Sequence, residues 1–283
     1  AITEGLVGSE MCIRDRKQHC TLSWTWSVHR GAHFSGIAFL KHGSVSKEVS
    51  FRLISSQIGV DNMKGSLLSG PMAELYMART CKHGVLRVMG GDVWNHSADV
   101  LITPANNRLS GREGLDGMIH QKAGKELTQV TRNICLEMRK INAPPCAVTQ
   151  NVVTEPFALS DNFTHIIHAV GPDCRRPNQD EARRELLSET YANLFTTIQE
   201  VGDVSSVVSP PISMGVFAYP HREGARLTLQ VLLEMMDGEK DYGIRNYTIV
   251  VKEKNFISNM RTVYREGEDQ FPGVDTTMQD SVR

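Results

Sequence analysis

From residue 85 onward, short runs of aliphatic residues alternate with longer segments whose apolar residues recur every three or four positions. The first pattern specifies strands and the second helices. Strands are predicted over 85–89, 100–102, 147–153, 164–170, 206–209 and 247–251, and helices over 115–122, 124–140, 180–200 and 221–236. Strands that take turns with helices build a largely parallel or mixed sheet covered on both faces. Pro104 lacks an N–H, so continued strand pairing is not expected there. Pro144-Pro145 closes the helix before the third strand.

The ends are less regular. Residues 1–16 have no apolar stretch of signal-peptide length, and MCIRDR (11–16) resembles translated adaptor sequence, so this segment reads as a non-native or flexible terminus. Residues 17–84 form an unassigned N-terminal extension, in which 36–40 suits a strand and 72–77 a helical turn or two. Residues 256–283 read as a polar C-terminal tail.

Charge and cysteine usage exclude several function classes. Lys plus Arg number 31 against 32 Asp plus Glu, so the chain as a whole is no polybasic nucleic-acid binder. Residues 1–85 hold 10 basic and 6 acidic side chains, a net of +4. With Trp24 and Trp26 this leaves room for a local nucleic-acid contact, although packing is the commoner role of such rings. No run of 18 apolar residues occurs, so no membrane-spanning helix is expected. The six cysteines include no CxxC pair, which points to a reducing compartment, cytoplasmic or nuclear. His120, His165 and His168 are the histidines grouped like metal ligands, but His165 and His168 stand three apart in a strand and face opposite sides. No metal or cofactor is expected.

Ligands of such folds collect beyond the carboxyl ends of the strands. Two loops there are rich in glycine. The first, 106–117, carries Gly111, Gly114 and Gly117 and runs into a helix near Leu115; the second, 211–220, carries Gly215. Glycine lets the backbone approach an anion with its amides forward, and a helix N-terminus favours negative charge. Neither loop is GxxxxGK[ST] or GxGxxG, and by spacing alone both are equally well ordinary strand-to-helix turns.

Four blocks in order resemble one family. TPANNRLSGREGLDGMIH (103–120) is similar, without a gap, to the macro-domain signature; FTHIIHAVGP (163–172) resembles its His-x-Val-Gly-Pro strand, PISMGVFAYP (211–220) its second loop, and MGGDVWNHSADVLIT (89–103) its opening segment. The resemblance spans 85–255 and implies a three-layer α/β/α sandwich with a central mixed sheet. It also implies ADP-ribose binding with hydrolysis of ADP-ribosyl esters, either mono-ADP-ribosylated acidic side chains or O-acyl-ADP-ribose. The alternative is a non-catalytic module that reads ADP-ribosylated protein.

Carried over position by position, Asp92 would accept from the adenine amino group, with Val93 beside the base. Amides near Gly111, Gly114 and Leu115 would cradle one side of the diphosphate, and those of Ser213, Met214, Gly215, Val216 and Phe217 the other. Asn106 would reach the distal ribose, and Asp116 would hold or activate a water near the anomeric carbon.

Departures are visible too. Thr103 and Pro104 replace the first Asn and Ala of the signature, and Arg112-Glu113 replace a glycine pair. A charged residue there needs negative φ, and Glu113 is expected to point to solvent at the rim. The aromatic ring that often stacks on adenine after the last strand is absent from Val251-Lys252-Glu253, with Phe256 only nearby.

Overall fold

Both faces of the central sheet bury aliphatic side chains, and strict alternation along each strand decides which residue serves which face. The computed structural model describes residues 74–175 and 180–267, together with the backbone of four strands between residues 7 and 54. Val100, Ile102, Val207, Ile249 and Val251 enter one core; Leu101, Ile166, Val208 and Val250, of opposite parity, enter the other.

The N-terminal unit is an antiparallel sheet of β1 (Val7–Asp15), β2 (Gln18–His29), β3 (His33–His42) and β4 (Val45–Ile54), in that order. The 36–40 run falls within β3. The side chains of Trp24 and Trp26 lie outside what the structure describes.

The second unit holds seven strands: β5 (Leu75–Thr80), β6 (Val85–Gly90), β7 (Val100–Pro104), β8 (Asn151–Thr154), β9 (His165–Ala169), β10 (Ser206–Ser209) and β11 (Asn246–Val251). Their order is β5-β6-β11-β10-β7-β9-β8. The five inner strands run parallel; β5 and β8 pair antiparallel at the edges. The helices are α1 (Gly114–Ala123), α2 (Lys125–Lys140), α3 (Asp180–Val201), α4 (His221–Asp237) and α5 (Lys254–Glu266). α1 packs into the Leu101 core, while α3, α4 and α5 pack into the Val100 core. The result is the expected three-layer α/β/α sandwich.

Several expectations are corrected. Residues 75–80 are an edge strand rather than a helical turn, so the sheet begins before residue 85. The 147–153 strand shrinks to 151–154, because Thr149 takes φ 74° in the preceding turn. Part of the supposed tail is α5, whose Phe256, Ile257, Met260, Val263 and Tyr264 are buried at helical spacing; residues 268–283 lie outside the described ones. β7 continues through Pro104, which pairs with Ala169. The N–H of Ala105 points to β9, so that of residue 104 would point to β10, and pairing with β10 already ends at Leu101. The missing donor therefore costs no ladder bond.

Asp99 ties the start of β7 to that of β10. Its Oδ2 accepts from the backbone N–H of Ser205 (2.8 Å) and Ser206 (2.8 Å) and from both hydroxyls (3.0 and 2.8 Å). Burial pushes the carboxyl up, but these donors outweigh it and hold it below the usual value. That stabilisation is present above the unfolded carboxylate pKa of about 3.9 and is lost as pH falls through the lower folded value. Asp99→Ala is expected to cost about 2 kcal/mol of folding stability at pH 7, and much less at pH 3, as read by urea unfolding.

Candidate functional site

β7 and β10 are neighbours, yet the chain leaves β7 for α1 on one face and β10 for α4 on the other. Ligands of such sheets bind outside the carboxyl ends of the strands at a reversal of this kind. The two glycine loops flank it and touch: a Cβ on Gly114 would lie 2.8 Å from Val216 Cγ2.

The first loop is shaped by Asn106. Its Oδ1 accepts from the N–H of Arg108 (3.0 Å) and Ser110 (3.4 Å), and its Nδ2 donates to Ser110 Oγ (2.7 Å). An Asn amide carries two N–H bonds, so one donor remains beyond those its own loop uses. Leu109, at φ 49°, is buried under the loop, and Cys135 Sγ donates to the Arg108 carbonyl from α2. Gly111 and Gly114 take φ 55° and 59°. A Cβ at Gly111 would run into the His120 ring, so only glycine fits. The N–H groups of Gly114 and Leu115 open α1, where no earlier helical carbonyl exists to receive them.

The second loop turns at Ser213 (φ 65°) and Ala218 (φ 54°). Met214 anchors it, buried against Gly224 with its carbonyl 2.9 Å from His221 Nε2. The N–H groups of Gly215, Val216 and Phe217 have no partner among the described residues. Gly215 and Val216 are exposed, and the Phe217 ring is half-buried under the Arg175 guanidinium, 5.5 Å away. Arg175 belongs to the loop after β9 and is paired with Asp173. Two sets of free amides thus stand on loops that touch, an arrangement that attracts an anion.

Asp116 lies beneath the first loop, 4% exposed. Its carboxylate accepts from the Thr103 hydroxyl (2.7 Å). Burial pushes this carboxyl up; the Thr103 hydroxyl and the neighbouring His120 act against it. His120, one turn along α1, is pushed down by burial and raised by Asp116. His168 in β9 is fully buried and held down at about 3 by burial and by His120.

Other expected positions fall differently. Asp92 follows β6 by two residues and is paired with Lys252 Nζ at 2.7 Å. The Val93 side chain is 2% exposed in the Leu101 core, so only its backbone can meet a ligand. Phe256 is buried edge-on to His221 and is no stacking platform. His165 is half-buried and bonded to Thr164, away from the His120–His168 pair, whose third companion is Asp116. Thr103 and His168 were not singled out for a role at this site. The parity of β7 could have pointed to Thr103, since it shares the face of Leu101 on which α1 packs.

Glu113 is exposed at φ −131° and caps α1. The negative φ removes the strain that a charged residue between glycines could have carried. Glu113→Gln is expected to tighten binding of a diphosphate ligand two- to threefold, roughly 0.5 kcal/mol, and less at high salt. Calorimetry at two ionic strengths checks this.

The Macro domain family model matches residues 102–228. The chain is 32% identical over 151 residues to the O-acetyl-ADP-ribose deacetylase of Salmonella typhimurium, covering 53% of this chain and 79% of that protein. It is 29% identical to a macro domain-containing protein of Listeria monocytogenes, covering 58% of this chain and 88% of the relative. The Oceanobacillus iheyensis macrodomain solved with ADP superposes with a TM-score of 0.60 at 27% identity, covering 70% of this chain and 99% of that one. The chain belongs to the macro domain family.

Proposed function

We propose that this chain binds ADP-ribose in the crevice between the two loops and hydrolyses ADP-ribosyl esters, either O-acyl-ADP-ribose or mono-ADP-ribosylated acidic side chains. The observation that carries the reading is the pair of facing loops whose amides at Gly114, Leu115, Gly215, Val216 and Phe217 lack partners within the chain. A diphosphate supplies the acceptors they need. The relative from Salmonella, whose name is O-acetyl-ADP-ribose deacetylase, supports the same chemistry.

In this reading Asp92 takes the adenine amino group in competition with Lys252. The remaining Asn106 donor meets a hydroxyl of the distal ribose, which carries the ester. Water adds at that ester; the carbon–oxygen bond to the leaving group breaks, the departing oxygen takes up a proton, and a carboxylate is released. Amides already fixed toward the ligand need no reorganisation as charge develops. Asp116, beneath the first loop, supplies the negative charge that orients the attacking water.

The burial of Asp116 favours a second reading, a module that binds ADP-ribosylated protein without turnover. Incubation with O-acetyl-ADP-ribose and with a mono-ADP-ribosylated protein separates the two. Release of acetate or of ADP-ribose above the uncatalysed rate is expected; saturable binding with neither release leaves the reader.

A further inference from the structure

Asp116 and His120 of α1 and His168 of β9 meet in the interior at 4%, 3% and 0% exposure. Asp116 Oδ1 lies 3.8 Å from His120 Nε2, and the two imidazoles stand edge to face at 5.6 Å. One oxygen or nitrogen from each of the three lies within 4.8 Å of the others. Each is also held by a threonine hydroxyl. Thr103 donates to Asp116 Oδ1 at 2.7 Å, Thr128 Oγ1 is 3.3 Å from His120 Nδ1, and Thr154 Oγ1 is 3.0 Å from His168 Nε2. That leaves one nitrogen on each ring, His120 Nε2 and His168 Nδ1, buried and without a hydrogen-bond partner.

Two such orphans in one place are unusual, since an unpaired buried polar atom costs about 1–3 kcal/mol. Buried neutral imidazoles offer lone pairs, and the carboxylate offers charge. A shell that holds the second ring nitrogen of each histidine is the pattern that orients imidazoles onto a metal. Imidazole with a carboxylate suits zinc and its neighbours, whereas calcium and magnesium take oxygen ligands. We infer that Asp116, His120 and His168 form a binding site for one divalent transition-metal ion of the zinc class, under the first glycine loop. Because Gly111 sits directly against the His120 ring, the ion would brace that loop from below. The inference does not rest on ester hydrolysis, and its test uses no nucleotide.

The full chain, stripped with chelator, is titrated with zinc alone by calorimetry and with cobalt by visible absorption. Wild type is expected to take up one equivalent, with cobalt showing the bands of a nitrogen- and oxygen-ligated ion. His120→Gln and His168→Gln are expected to lose that equivalent, and His165→Gln to keep it. Where a glutamine variant does not fold by circular dichroism, Thr154→Val carries the test. Loss of that hydroxyl is expected to weaken zinc binding about 10- to 100-fold. Absence of a stoichiometric equivalent in the wild type overturns the inference. So does an equivalent that survives in folded His120→Gln or His168→Gln, or an unchanged affinity in Thr154→Val.

Discussion

Gly111→Val is expected to weaken ADP-ribose binding about 30-fold or more, by calorimetry, while the sheet and helices stay folded. Two costs combine. A residue with a Cβ in the left-handed region loses about 1–2 kcal/mol, and valine loses more because its branched Cβ narrows the choice further. The added atoms also run into the His120 ring, which has nowhere to move: it is 3% exposed and held on its Nδ1 side by Thr128. Overpacking of that kind costs about 1–3 kcal/mol more. The loop is the softer partner, so it lifts away and takes the Gly111 and Gly114 cradle with it. At about 1.4 kcal/mol per factor of ten, a combined cost of about 2–5 kcal/mol corresponds to a factor of about 30 or more in Kd. Gly202→Ala serves as control, since it adds a Cβ at φ 74° where nothing lies within 4 Å; it is expected to leave binding unchanged.

Asp116→Ala is expected to lower turnover of O-acetyl-ADP-ribose about 100-fold or more and to weaken ADP-ribose binding about tenfold. The alanine variant strands the Thr103 hydroxyl in the interior and removes the charge beneath the loop, so both the loop and the chemistry suffer. Asp116→Asn keeps an acceptor oxygen and is expected to restore most of the binding without restoring turnover, because a neutral amide carries no charge toward the attacking water. Recovery of turnover in the asparagine variant would reduce Asp116 to an anchor for the loop.

Much of the scaffold was legible because burial on both faces writes itself into sequence as unbroken aliphatic runs, as in Val100-Leu101-Ile102 and Ile166-Ile167. What failed was local. Residues 72–77 read as a helical turn rather than as part of β5 because an edge strand needs only every second residue to be apolar, and here a bulge between Leu75 and Met77 breaks even that period. Pro104 looked like a strand stop, since which side of a strand lacks a partner is a property of the neighbouring strand. α5 carried a readable period at Phe256, Ile257, Met260, Val263 and Tyr264, hidden by the charged residues between them.

The two loops of the candidate site were visible as glycine at the ends of strands, and the family resemblance gave them an order. Their support was not visible. Thr103 and His168 are adjacent in the β7–β9 register, and Asp116 reaches them from a helix, so their meeting depends on pairing and packing that no single stretch of sequence encodes. Glu113 shows the opposite case. Its negative φ and the cost of burying its charge already imply the exposed position it takes.

Titration of ADP-ribose into the full chain by calorimetry tests the central claim most directly. The account predicts saturable heat for one site per chain, competed by ADP, strongly reduced in Gly111→Val and kept in Glu113→Gln. Absence of heat up to a concentration on the order of 1 mM, where even a binding free energy of about −4 kcal/mol would register, would contradict it.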